Sequence, residues 1–329
     1  MSIRNWLFDN GLFSEYRPAI FTVGVGNLAV GGTGKTPMIE YLIKRYGKQP
    51  LAMTPKTVTL SRGYGRRTNG FRVATDADTA TTIGDEPRQL YRKFGRQVLV
   101  CVGERRADAI RTIETVYPET RRILLDDALQ HRAVRPHLNL LLMDYNRPFY
   151  TDYPFPAGRL RERRHGARRA DAVIVTKCPD HLPAADQQIV TETLSRYTRP
   201  QIPIFFARLQ YDQPMSFATQ QPTDDLREVV LVSGLANADS LERYVRQTFS
   251  MRQHCRFADH YAYTRADLNQ LLTGLAPGVS LLTTEKDWVK LDALLTPAER
   301  AMPLFYLPVQ MAFLADDDAK FNRFLDGVE

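Results

Sequence analysis

The chemistry in this sequence begins at Ala29-Val30-Gly31-Gly32-Thr33-Gly34-Lys35-Thr36. Glycines lack a β-carbon, so successive backbone N–H groups there can turn inward around phosphate oxygens. A helix starting at the end of the run adds the partial positive charge of its N-terminus. The Lys35 ammonium suits the β- and γ-phosphates, and the Thr36 hydroxyl suits Mg²⁺. The run reads as the phosphate-binding loop of a nucleotide triphosphatase or kinase, with Gly31, Gly32, Thr33, Gly34, Lys35 and Thr36 on the nucleotide. Its first position carries Ala29 where the pattern usually has glycine. The plain alternative is a glycine-rich turn before an ordinary helix.

Two aspartates, Asp126 and Asp127, close the apolar run Arg122-Ile123-Leu124-Leu125. At a strand end beside such a loop, an aspartate holds Mg²⁺ directly or through water; an acidic turn after a buried strand is the alternative. Asp85, in Gly84-Asp85-Glu86-Pro87, opens a helix pattern. It reads as the N-cap, and also as a general base that takes the proton of an alcohol attacking the γ-phosphate. The two roles are compatible. Arginines follow two further apolar runs, in Ser61-Arg62-Gly63-Tyr64-Gly65-Arg66 and Gly103-Glu104-Arg105-Arg106. They stand where anions bind, although Arg66 and Arg67 read better as solvated loop charge. A proline- and arginine-rich stretch, Tyr153 to Arg164, suits a phosphate-bearing substrate or an anionic lipid surface. Thr283-Thr284-Glu285-Lys286-Asp287 reads as a nucleotide contact or a helix cap.

These residues need a scaffold. Apolar runs at Phe21–Val25, Val58–Leu60, Val98–Val102, Ile123–Asp126, Leu138–Met143 and Ala172–Thr176 alternate with helix patterns at Pro37–Tyr46, Glu86–Phe94 and Arg105–Val116. The alternation predicts an α/β fold, a parallel sheet flanked by helices, with the phosphate loop at a strand's carboxyl end. The texture changes near Pro200-Gln201-Ile202-Pro203. The expected division is a phosphate-loop domain over 1–205, a smaller α/β domain over 206–303 and a return strand with a C-terminal helix over 304–329. Ile204–Ala207 and Leu304–Leu307 are expected to pair as a two-stranded hinge.

The chain has 329 residues, 43% hydrophobic and 25% charged, with a formal net charge of +7. It is long enough for a real core and moderately basic, which suits an anionic partner. Three separated cysteines exclude a cysteine zinc cluster. No apolar stretch spans a membrane, and no signal peptide is expected. Residues 1–20 contain Trp6, Leu12 and Phe13 with Arg4 and Arg17; they read as a membrane-surface segment or as a segment packed on the domain. No stacking array or recognition helix supports nucleic acid, and no protein partner is expected. A nucleotide-driven switch or assembly ATPase/GTPase is the rival class. A separate base candidate and a basic acceptor region argue against it.

The ordered set Val25-Gly26-Asn27, Gly31 to Pro37, Ser61 to Gly65, Gly84 to Pro87, Asp126-Asp127-Ala128-Leu129-Gln130-His131, Pro156 to Glu162, Asp259-His260-Tyr261 and Thr284 to Asp287 resembles tetraacyldisaccharide 4′-kinase, the lipid A 4′-kinase of Gram-negative bacteria. The family shares the departure at Ala29 and usually has glycine at position 128, where a β-carbon is acceptable with negative φ. The resemblance implies transfer of the ATP γ-phosphate to the 4′-hydroxyl of a tetraacylated, 1-phosphorylated glucosamine disaccharide. It implies Mg²⁺ managed by Thr36, Asp126 and Asp127, Asp85 as base assisted by His260, and Lys35 at the transferred phosphate. It implies Arg62, Tyr64, Arg105, Gln130, His131, Arg161 and Glu162 toward the substrate. The expected place is peripheral, on the anionic cytoplasmic face of the inner membrane.

Overall fold

A computed structural model of the chain describes residues 2–47 and 56–329. Its strands are β1 (Phe21–Asn27), β2 (Thr57–Ser61), β3 (Arg72–Val73), β4 (Leu99–Val102), β5 (Arg122–Asp126), β6 (Leu138–Asp144), β7 (Ala172–Thr176), β8 (Ile204–Tyr211), β9 (Met215–Ser216), β10 (Glu228–Ser233), β11 (Ser250–Arg256), β12 (Val279–Thr284), β13 (Leu304–Leu307) and β14 (Val309–Phe313).

Nine strands form one sheet in the order β14-β8-β7-β6-β1-β5-β2-β4-β3. It is parallel except at its edges, where β3 runs against β4 and β14 against β8. Strands covered on both faces favour apolar side chains on both, as in Ile123-Leu124-Leu125 of β5 and Ala172-Val173-Ile174-Val175 of β7. Alternation still assigns each side chain to a face. Val23, Val25 and Leu124 meet Met38, Ile39, Leu42, Leu90 and Phe94 from helices Lys35–Tyr46 and Asp85–Phe94. Ile123 and Leu125 meet Ile110 and Ile113 of helix Arg106–Val116 on the other face.

A second sheet, β11-β10-β12-β13-β9, has its own two-sided core. Val232, Leu281 and Trp288 lie on one face, and Leu231, Leu282 and Val245 on the other. The connection between the sheets differs from expectation. Leu304–Leu307 does not pair with β8: it is an inner strand of the small sheet, between β12 and β9. The partner of β8 is β14, antiparallel, with Ala207 opposite Phe313 and Tyr211 opposite Val309. Pro308, lacking an N–H, separates β13 from β14 and frees the chain to change sheets. Helix Asp317–Asp326 then returns to the large core, burying Phe321 and Leu325 completely.

Candidate active site

Asn27 ends β1, helix Lys35–Tyr46 follows, and the glycine-rich loop lies between them at the carboxyl end of the large sheet. Gly31 (φ +107°) and Gly34 (φ +86°) occupy the left-handed region that only glycine enters cheaply. A β-carbon on Gly34 would also stand 3.3 Å from Met311 Cε and 3.5 Å from Leu209 Cδ2, side chains of the two crossing strands. Ala29 has no such requirement, since its φ is negative. The loop is tied from three sides. The Thr176 hydroxyl donates to the Thr33 carbonyl (2.9 Å), Val30 N–H donates to the Arg159 carbonyl (2.9 Å), and Asn27 Nδ2 donates to the Ala29 carbonyl (2.7 Å). Lys35 Nζ lies 3.4 Å from both Asn27 Oδ1 and Asp127 Oδ1, largely shielded from solvent.

Asp126 and Asp127 emerge beside it from β5, the immediate neighbour of β1. Asp126 is buried and its Oδ1 has no hydrogen-bond partner. Burial, reinforced by the Glu86 charge, pushes its carboxyl up to about 7. Asp127 takes both oxygens to Arg161 Nη1 (2.7 and 2.6 Å). Burial works upward on it, but Lys35 and Arg161 outweigh this and hold it below the ordinary carboxylate range. The left-handed residue of this turn is Asp127 (φ +52°), whereas Ala128 has negative φ, so its β-carbon is accommodated.

Asp85 is not the N-cap. Gly84, at φ +98°, caps the helix and Asp85 is its first residue. Its side chain is therefore free of capping and turns to the small unit. Asp85 Oδ2 accepts from His260 Nδ1 at 3.2 Å and lies 3.3 Å from Lys290 Nζ. Burial raises its carboxyl, but the His260 hydrogen bond and the Lys290 and Lys286 charges together bring it below its ordinary value. His260 sits in the loop after β11 with φ +57°, a strained position for a non-glycine residue. Its ring centroid is 5.0 Å from that of Tyr64, which is mostly exposed. Helix Asp85–Phe94 is moored to helix Glu285–Leu291 and the residue that follows it at two further points. Arg92 pairs with Asp292 (2.5 Å) and covers Trp288, and Lys93 stands 2.5 Å from both Glu40 and Glu285. Thr284 caps that helix, as one of its two expected readings had it.

The remaining candidates divide. Arg62 is exposed beside His131 and Arg106. His131 is kept neutral: burial and the nearby Arg106 charge push its imidazole down to about 4. Arg105 points to solvent next to Asp108, away from this group. Its neighbour Arg106, read with it as an arginine placed for anions, is buried and donates to the carbonyls of Gly103 (2.6 Å) and Asp126 (3.1 Å). Gln130 and Glu162 are buried in a structural network. Glu162 accepts from Asn5 (2.7 Å), Gln130 (2.9 Å) and Arg169 (2.5 Å), and so holds the N-terminal helix Ser2–Asp9 against the sheet end. Arg66 is not solvated loop charge; it is buried against Glu104 and the Gly70 carbonyl.

This arrangement has relatives. The family model for tetraacyldisaccharide-1-P 4′-kinase matches residues 1–328. Tetraacyldisaccharide 4′-kinase of Cytophaga hutchinsonii is 38% identical over 325 residues, covering 98% of this chain and 90% of that protein. The enzyme of the same name from Flavobacterium psychrophilum is 36% identical over 328 residues, covering 98% and 91%. Among solved structures, LpxK from Aquifex aeolicus in complex with ATP superposes with a TM-score of 0.75 at 25% identity, covering 99% of this chain and 94% of that one. With a glycine-rich loop at a strand end, a paired-aspartate strand beside it and a carboxylate backed by a histidine of the small unit, the chain belongs to the tetraacyldisaccharide-1-P 4′-kinase family.

Proposed function

We propose that the protein transfers the γ-phosphate of ATP to the 4′-hydroxyl of tetraacyldisaccharide 1-phosphate, giving the 4′-phosphorylated lipid A precursor, lipid IVA, in lipid A and lipopolysaccharide biosynthesis. Family membership supports the reaction. The observation that carries the mechanism is the contact, across the two units, between His260 and Asp85, on a helix whose Glu86 charge reaches Asp126.

Backbone amides of residues 31–36 and Lys35 seat the phosphates. His260 and Lys290 both meet Asp85 Oδ2, which leaves Oδ1 to accept the proton of the sugar hydroxyl as it attacks. His260 acts through Asp85: the Nδ1–H bond orients the carboxylate. Because the two residues stand on different units, closing the units completes the pair and excludes the water that competes for the phosphoryl group. Tyr64 beside His260, Arg62 near His131, and Arg161 on Asp127 are assigned to the phosphorylated sugar in this reading.

Mg²⁺ fits the residues present. Asp126 offers a buried carboxylate oxygen with no partner, on a carboxyl that burial and the Glu86 charge push up to about 7 and that a bound cation would return to its charged form. Thr36 and Asp127 offer further hard oxygen donors. Among the described residues no group of three His, Cys, Asp or Glu forms a complete metal cage. That suits an ion that takes its remaining ligands from nucleotide phosphates. When bound, Mg²⁺ neutralises charge on the transferred phosphoryl group.

A peripheral position on the anionic cytoplasmic face of the inner membrane suits the surface. No described helix is long and apolar enough to cross a membrane. Trp6 (57% exposed), Leu12, Phe13 and Phe155 (81% exposed) present apolar side chains, and the helix carrying Trp6 is tied to Gln130 and Glu162 through Arg4 and Asn5. The test is to incubate the protein with ATP, Mg²⁺ and the tetraacyl disaccharide 1-phosphate in mixed micelles. A phosphorylated lipid is expected. Its absence from a folded preparation that binds ATP would refute the assignment.

A further inference from the structure

Thr284 to Asp287 stands out in the sequence, yet phosphoryl transfer by Asp85 and His260 leaves it without a chemical task. In the structure it builds a mount for a cation. The Thr284 hydroxyl accepts the Asp287 N–H (3.1 Å) and donates to Asp287 Oδ2 (2.9 Å), which also takes the Gly234 N–H (2.8 Å). Asp287 is wholly buried and fixed by these bonds. Its other oxygen lies 3.0 Å from Lys290 Nζ, one turn along the same helix. Lys290 is 8% exposed, donates to the Tyr261 carbonyl (3.0 Å) and lies over the Tyr263 ring. Held by these contacts, the ammonium reaches across to Asp85 Oδ2 at 3.3 Å.

We propose that Lys290 is a positioning residue for phosphoryl transfer: with His260 it pins Asp85 Oδ2 from a second direction, so that Oδ1 alone faces the acceptor hydroxyl. The proposal rests on Asp85 being the base. A single hydrogen bond leaves a carboxylate free to turn about its terminal torsion, and that torsion is broad. Two donors on one oxygen, both built into the small unit, remove this freedom and tie the base's aim to closure. The charged groups facing Asp85 are His260 and Asp259 from the loop after β11, Lys286, Asp287 and Lys290 from helix Glu285–Leu291, and Glu86 on its own helix. Lys286 is taken by Asp259 at 2.8 Å, so Lys290 is the nearer cation to the carboxylate.

The experiment is the pH dependence of kcat and of KM for ATP, measured for wild type, Lys290→Met, Lys290→Arg and Lys290→Met/Asp287→Asn. The double variant avoids leaving a buried unpaired carboxylate at 287, so it decides the matter if Lys290→Met folds poorly. Both methionine variants are expected to lose about 10- to 100-fold in kcat with KM for ATP within about twofold, the scale of a misplaced reacting group. Their low-pH limb should move upward by about one unit or more, because an adjacent cation no longer favours ionised Asp85. Lys290→Arg should keep the wild-type limb and recover part of kcat. An unmoved limb in the double variant, or an arginine variant that behaves like methionine, overturns the proposal. A wild-type protein that does not phosphorylate the lipid would instead overturn the functional reading beneath it.

Discussion

Whether His260 works through Asp85 or beside it is decided by a double-mutant cycle of Asp85→Asn and His260→Ala. General-base catalysis is worth roughly 10²- to 10⁴-fold, or about 3–5 kcal/mol at about 1.36 kcal/mol per tenfold. Asp85→Asn keeps the shape and removes the proton acceptor, so it should lose that whole factor. His260 supplies one of two donors on the same carboxylate oxygen, at 3.2 Å, and Lys290 at 3.3 Å remains after its removal. His260→Ala should therefore lose a smaller part, about 10- to 100-fold. Once Asp85 is gone there is no carboxylate to orient, so the double variant should match Asp85→Asn within about threefold. Independent action would instead multiply the losses, adding a further 10- to 100-fold. The assay is single-turnover transfer from labelled ATP to the lipid at saturating nucleotide, which isolates the chemical step. Fully multiplicative losses would refute the orienting role, and ATP affinity lowered as much as turnover would remove Asp85 from the base position.

Three other outcomes follow from the same geometry. Burial, with the nearby Glu40 charge, pushes the Glu285 carboxyl from 4.5 up to about 7, so between those values the folded chain keeps a proton that the unfolded chain has released. Stability should fall as pH rises through that window, and Glu285→Gln should flatten the fall in a melting-temperature series; an unchanged slope would contradict it. Gly34→Ala forces a β-carbon into a left-handed position against Met311, a strain of roughly 1–2 kcal/mol, so ATP should bind about tenfold or more weakly by calorimetry. Equal affinity would mean the loop is not the phosphate seat. Trp6→Ser with Phe13→Ser removes two exposed aromatics, and at roughly 1 kcal/mol for each half-buried ring, sedimentation with anionic vesicles should weaken about 10- to 30-fold. Undiminished sedimentation would detach this face from the membrane.

The sequence disclosed most where burial was simplest. β7 is buried on both faces and opens with the apolar run Ala172-Val173-Ile174-Val175, and β6 carries Leu140-Leu141-Leu142-Met143 after a half-buried Asn139. β11, Ser250–Arg256, is a sheet edge with mostly solvent-facing polar residues, and nothing in its pattern separates it from a loop. The choice between Leu304–Leu307 and Val309–Phe313 as the partner of β8 depended on tertiary packing that both apolar runs satisfy equally. At the site, the positions of the glycine-rich loop and of Asp126-Asp127 were legible because each directly follows or closes an apolar strand. Lys290 was not, since an ordinary lysine acquires meaning only from what folds against it, and Arg106, placed for anions by its sequence, turns instead to the Gly103 and Asp126 carbonyls. Glu162 shows the converse: it lies in a recognisable motif, yet its partners Asn5, Gln130 and Arg169 make it a brace.

The antiparallel crossing has a practical consequence for dissecting the molecule. Tyr211 and Val309 stand opposite each other in register, so everything between them is one insertion hung from a single point of the large sheet. Truncation near residue 205 would strip away β14, Phe321 and Leu325, which complete the large core. Excising 212–308 and joining Tyr211 to Val309 through a two-residue turn would leave that core intact. The shortened chain would keep Met311 and Leu209 against Gly34 and keep Asp85, but would lack His260 and Lys290. It is the natural protein for measuring ATP affinity apart from phosphoryl transfer.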